Sequence, residues 1–232
     1  MILGKAARDG SGTVASRVLT HAMVLAAVLA WGLNPMVMKL GLRQLAPHPF
    51  NTLRLLTGIV LTAPVLLLSG SWKPLKGADL LRLFALPAIG FIVFQFFFTF
   101  GVAASAASVA AIILGILPIC VALISYIFRI EPLTRMKVSG IAVTFSGVVL
   151  IALGAPAGLD LQGTQAWGVL LLVICEIAYG LYTVFLKPLT RRYPVPQIVF
   201  LMMCTAFVPF ALYTFGEYGL SVYADLSPLT LG

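Results

Sequence analysis

From Leu83 to Phe128 the chain runs 46 residues without one charged side chain. A single helix of that length would reach about 69 Å at 1.5 Å per residue. That is more than twice the roughly 30 Å of bilayer hydrocarbon. The stretch lacks the polar–apolar alternation of a barrel strand, so helices are the spanning element. The chain must therefore reverse inside it, making a tight hairpin of two spans. Gly101, directly after Phe94-Gln95-Phe96-Phe97-Phe98-Thr99-Phe100, is the natural breaking point.

The rest of the chain reads the same way. Charged residues make up 9% of the 232, against about 25% in soluble domains, too few to cover a globule in water. Seven apolar segments, at about 18–40, 50–69, 81–101, 103–127, 138–154, 166–187 and 196–216, reach or nearly reach spanning length. The expected fold is all-α, a polytopic transmembrane helix bundle of about seven spans, with the lipid bilayer as its partner. The first segment exceeds the 7–15 residues or so of a signal-peptide core, so it is read as a span. Cys120, Cys175 and Cys204 lie within apolar runs at no metal or redox spacing and read as small core residues.

The formal charge of +8 does not point to nucleic acid, because the cations form short clusters between apolar runs rather than one basic face. They encode topology instead. Lys5, Arg8 and Arg17 precede the first segment, and Lys73, Lys76 and Arg82 surround the second connection. Arg129, Arg135 and Lys137 follow the fourth segment; Lys187, Arg191 and Arg192 follow the sixth. These twelve share one side, leaving Lys39 and Arg43 opposite, with Asp160, Glu217 and Asp225, and Arg54 within a span. The positive-inside rule makes the clustered side, and the N-terminus, cytoplasmic.

An internal repeat is visible. Trp31-Gly32-Leu33-Asn34-Pro35 through Lys39 matches Tyr179-Gly180-Leu181-Tyr182-Thr183 through Lys187 at an offset of 148, sharing an aromatic, Gly, Leu and Lys. Pro47-His48-Pro49 is echoed by Pro194-Val195-Pro196, and Pro64 by Pro209. Five spans separate the copies, an odd number, so they cross in opposite directions as in inverted-repeat transporters. The expected organisation is a cytoplasmic tail at 1–17, a first five-helix repeat at 18–154 and the start of a second repeat at 155–232.

Several motifs carry a family likeness. They are Trp31-Gly32-x-Asn34 with Lys39, Asn51-Thr52-Leu53-Arg54, the Ala/Ser-rich run Ala103–Ala111 followed by Pro118, and Glu131 before Lys137-Val138-Ser139-Gly140-Ile141 and Gly147-Val148-Val149-Leu150. Together they resemble the EamA-type exporters of the drug/metabolite transporter superfamily, over residues 18–216. The resemblance implies ten helices in two five-helix repeats and export of small metabolites or drug-like molecules. Against that pattern the last three helices are missing and Glu176 has no counterpart. The alternative reading is accordingly a truncated or partner-dependent membrane protein with no transport of its own. A second chain supplying helices, or a homo-oligomer, would then complete it.

Transport needs a midplane cavity with a few polar groups, so polar residues at membrane depth are the candidates. Arg54 lies about 8 Å inside the second helix, where it either attracts an anionic or carboxylate group or snorkels as a structural residue. Asn34, at similar depth, offers two donors and an acceptor to a small-molecule substrate or a neighbouring helix, and Pro35 beside it frees a carbonyl. Glu176 sits near the centre of the sixth helix. A carboxyl alternating between dry and wet surroundings takes up and releases a proton, as proton-coupled exchange requires; a hydrogen bond between helices is its structural alternative. Trp31 and Tyr179 hold equivalent repeat positions and either line the cavity or pack helices. Glu131 reads as one member of a loop ion pair, and the Phe-rich stretch as core or lipid-facing. No Ser/His/Asp or metal constellation suggests an enzyme or a cofactor.

The charge asymmetry generates one expectation directly. With seven spans and a cytoplasmic N-terminus, a reporter fused to the C-terminus is active only outside the cytoplasm; cytoplasmic activity would require an even number of spans.

Overall fold

The computed structural model describes residues 14–154 and 163–224. Lys5, Arg8, Asp160, Asp225 and the junction at 155 lie outside the described residues. Within them the chain forms seven α-helices: α1 (Val14–Gly41), α2 (Pro47–Ser69), α3 (Gly77–Ala104), α4 (Ala107–Ile127), α5 (Arg135–Gly154), α6 (Gly163–Thr190) and α7 (Val195–Glu217). A short 3-10 turn, Leu220–Tyr223, follows. Six of the helices, α1 to α4, α6 and α7, are found long and apolar enough to cross a membrane among the described residues. The helix α5, of 20 residues, coincides with the fifth apolar segment and packs mainly on α4.

Prolines mark where these helices start and bend. α2 and α7 open with Pro in the first turn, where the absent N–H has no intrahelical acceptor to lose. Inside α3, Pro87 cannot bond to the preceding turn. The helix widens there into a π turn over Pro87–Phe91, and the Ile92 N–H reaches back to the Pro87 carbonyl. Pro118 similarly marks the break of α4 into Ala107–Leu114 and Leu117–Ile127. α2 ends at Gly70, whose φ of 55° is the left-handed conformation glycine adopts freely.

The hairpin inside the uncharged stretch is present, but its turn is not at Gly101. α3 continues to Ala104, and the reversal falls at Ser105 and Ala106, both extended. Ser105 ends the helix by donating its hydroxyl to the Gly101 carbonyl at 2.7 Å. Gly101 faces α6 instead. A Cβ there would lie 2.7 Å from Leu172 Cγ and 3.1 Å from the Gly168 carbonyl oxygen. Its missing side chain allows two helix backbones to approach, the usual role of small residues in membrane packing.

α6 is therefore central, packing against α3 and α4, while α2 pairs with α7. The core along these contacts includes Phe94, Phe98, Val102, Ala110, Leu172, Cys175 and Ala206. The positions Leu172, Cys175, Glu176, Tyr179 and Tyr182 recur on one face of α6 at three- and four-residue spacing. The Phe-rich stretch divides by the same period: Phe94 and Phe98 are buried, whereas Phe96 is partly exposed.

One end of the bundle is tied by polar contacts. Asp79, only 3% exposed, accepts hydrogen bonds from Arg192 at 3.1 Å and from the Tyr193 hydroxyl at 3.0 Å. The Gln197 amide bonds both the N–H and the carbonyl of Lys73, at 3.0 and 2.7 Å. The α2–α3 and α6–α7 connections are thereby joined. Glu131 pairs with Lys137 at 2.6 Å, as expected of the loop, and also with Lys187 at the end of α6.

The α3–α6 contact can be probed at Gly168, where a Cβ would meet the Ala104 carbonyl carbon and the Ser105 nitrogen at 3.0 Å. Gly168→Val is expected to destabilise the protein by about 1–3 kcal/mol through overpacking. Gly140→Val, in open space, should leave the thermal unfolding midpoint in detergent unchanged. Equal midpoints for the two variants would contradict the close approach.

Candidate functional site

Arg54 leaves α2 pointing between α1 and α3. Its Nη1 donates to Met38 Sδ at 2.9 Å, its Nη2 donates to the Gln95 side-chain oxygen, and the guanidinium lies 5.7 Å from the centre of the Phe98 ring. Behind it, Asn51 Nδ2 donates to the Gln95 backbone carbonyl at 2.9 Å. Thr99 Oγ1 in turn donates to Asn51 Oδ1 at 2.8 Å. Asn51, Gln95 and Thr99 are at most 2% exposed, so without water each polar atom must find its partner in the protein. Arg54 itself is only half-buried.

A ladder of rings leads away from this network. Phe98 stacks on Phe94 at 5.2 Å, Phe94 contacts Tyr179 at 4.5 Å, and Tyr179 stacks on Trp31 at 5.9 Å with 23° between the planes. Trp31 and Tyr179 are thus in direct contact, joining α1 to α6. Trp31 keeps 39% of its surface exposed. Such offset pairs contribute about 0.5–1.5 kcal/mol beyond burial.

Glu176 lies one turn before Tyr179, 13 residues from Gly163 and 14 from Thr190 at the two ends of α6. It is fully buried. One carboxyl oxygen accepts only a long contact from the Cys175 thiol at 3.8 Å, and the other has no hydrogen-bond partner among the described residues. Cys120 of α4 and Tyr179 lie within electrostatic range of it. A buried carboxyl so poorly partnered is unfavourable as a permanent charge.

The structure thus links Trp31, Tyr179 and Arg54 through the buried rings of Phe94 and Phe98, with Glu176 one turn from Tyr179. Asn34 is half-buried on α1 and takes no part in the Arg54 network. A groove of about 430 Å³ opens on the other side of Tyr179, lined by Ser125, Glu131, Tyr182, Lys187 and Met202 among others. It runs from the Glu131–Lys187 pair to the aromatic ladder, and Tyr182 donates to Met202 Sδ at 2.8 Å across it.

Sequence reasoning misses Gln95, Thr99 and Asp79. Gln95 is the sole amide in the uncharged stretch, and a polar side chain at that depth is the signal that could have found it. His48 is a further case. It sits among Phe96, Phe100, Phe210 and Tyr213, with centroid distances of 4.3–6.1 Å.

Comparison with known proteins agrees with this architecture. Residues 18–153 match the EamA-like transporter family. The chain is 32% identical over 166 residues to an uncharacterized transporter of Archaeoglobus fulgidus, an alignment covering 72% of this chain and 56% of that relative. The chain therefore spans little more than half the length of the relative it matches. No solved structure matches it. On a family match over more than half its length and this level of identity, the chain belongs to the EamA-like transporter family.

Proposed function

We propose that this chain works in an exporter of small metabolites or drug-like molecules, by alternating access, in the inner or plasma membrane with its N-terminus cytoplasmic. Trp31, Asn34, Arg54 and Tyr179 form the substrate pathway, and Glu176 couples it to protons. The two repeats at 18–154 and from 155 onward are the halves that rock against each other. The observation that carries this reading is the fully buried Glu176 carboxyl, poorly hydrogen-bonded at the centre of α6, one turn from the Trp31–Tyr179 stack. When the surroundings are dry the neutral acid is favoured, and when water reaches it the proton leaves. A transporter that alternates between those two environments converts a proton gradient into directed movement.

The pathway is tested by labelling. Arg54→Cys and Asn34→Cys, in a background without Cys120, Cys175 and Cys204, should both react with impermeant thiol reagents added outside. Protection of both sites in correctly inserted protein would count against a shared, outward-open pathway. Coupling is tested by Glu176→Gln, which keeps size and hydrogen bonding but cannot titrate. In transport-competent protein at matched membrane abundance, it should abolish accumulation against a gradient while leaving pH-independent exchange. Normal proton-driven accumulation by this variant would make Glu176 structural.

A further inference from the structure

Arg54 is a cation held by neutral partners. Its two acceptors are an amide oxygen and a thioether, and no carboxylate among the described residues forms an ion pair with it. Asp79 is committed to Arg192 and Tyr193, and Glu131 to Lys137 and Lys187. A guanidinium has five N–H donors. Two are used, so three lack an acceptor among the described residues. An unpaired cation at membrane depth is costly, and a carboxylate beside it would relieve much of that cost.

Gln95 explains why the site stays unpaired. Its side chain fixes one edge of the guanidinium while adding no negative charge. Its own position is set from behind by Asn51, which bonds the Gln95 carbonyl at 2.9 Å and is held by Thr99 at 2.8 Å. Phe98 supports the guanidinium. The partners Met38, Gln95 and Phe98 are at most 2% exposed, whereas Arg54 as a residue keeps part of its surface exposed. A glutamate at position 95 would have the same shape but would neutralise the cation.

Resting on the transporter reading above, we propose that Gln95 is the specificity-determining residue that keeps Arg54 available for an organic anion. The substrate class is a small molecule bearing a carboxylate or a similar oxyanion. The anion takes the unused N–H groups of Arg54 in charge-assisted hydrogen bonds.

Benzoate and benzamide form a matched probe pair, equal in shape and differing in charge. Binding to the purified full chain is measured by thermal stabilisation across a concentration series. Benzoate is expected to bind saturably and roughly tenfold or more tighter than benzamide, the difference one charge-assisted hydrogen bond supplies. Arg54→Gln should remove that preference. So should Gln95→Glu, with no loss of folded stability, because the substituted carboxylate keeps the acceptor and pairs with Arg54. If Gln95 merely positioned Arg54, Gln95→Glu would bind benzoate as the native protein does, and the proposal falls. It also falls if benzamide binds as well as benzoate, or if neither binds. Counterflow of the same probes in proteoliposomes separates the two readings. Benzoate binding without counterflow defeats transport by this chain and leaves the anion site standing. Benzamide counterflow unaffected by Gln95→Glu leaves transport standing and defeats the anion site.

Discussion

The close contact between α3 and α6 is the constraint on which the rest of the bundle depends. Gly101 lies against the Gly168 carbonyl and Gly168 against Ala104 and Ser105, so the two backbones meet at a distance larger residues would not permit. Because they meet there, the residues one turn and more further along α6 enter the interior. Cys175, Glu176, Tyr179 and Tyr182 are carried against α3 and α4 by this single approach. Phe94 then finds Tyr179, and Tyr179 finds Trp31 on α1.

Lipid gives helices little hydrophobic reason to associate, since a hydrocarbon tail solvates leucine as well as another leucine does. What orders this bundle is packing at small residues together with polar groups that have no water to turn to. The chain Thr99–Asn51–Gln95–Arg54 crosses between α2 and α3 and ends on a cation held by neutral partners. At one end of the bundle, Asp79 and Gln197 join connections in a similar way, outside the aromatic ladder. One polar network therefore ends at a cation with no counter-ion among the described residues, while the other pairs its charges. The difference lies in the partners: Asp79 meets a cation, and Arg54 meets an amide.

Much of the fold is legible because hydrophobic length is a one-dimensional property. Each of the seven apolar segments is a helix, with ends displaced by a few residues. The hairpin follows correctly from the impossibility of a 46-residue uncharged span, yet its turn does not. Gly101 reads as a breaker when seen alone, and only the neighbouring α6 backbone shows that it is there for proximity. Ser105, which ends α3, carries no comparable sequence signal, because its effect comes from bonding a carbonyl one turn back.

The candidate site divides along the same line. Arg54, Glu176, Trp31 and Tyr179 can be singled out from sequence, since charge and aromatic repeats at membrane depth are conspicuous in one dimension. Which of them touch cannot. Sequence by itself determined that this chain is a bundle of membrane-length helices, because the energy of placing a residue in lipid depends mainly on what that residue is. Only the tertiary structure decided that Arg54 meets Gln95 rather than a carboxylate, and that Glu176 is left nearly without partners. Pairing depends on which helix faces come together, and that is set by the approach of α3 and α6 rather than by any residue's own character.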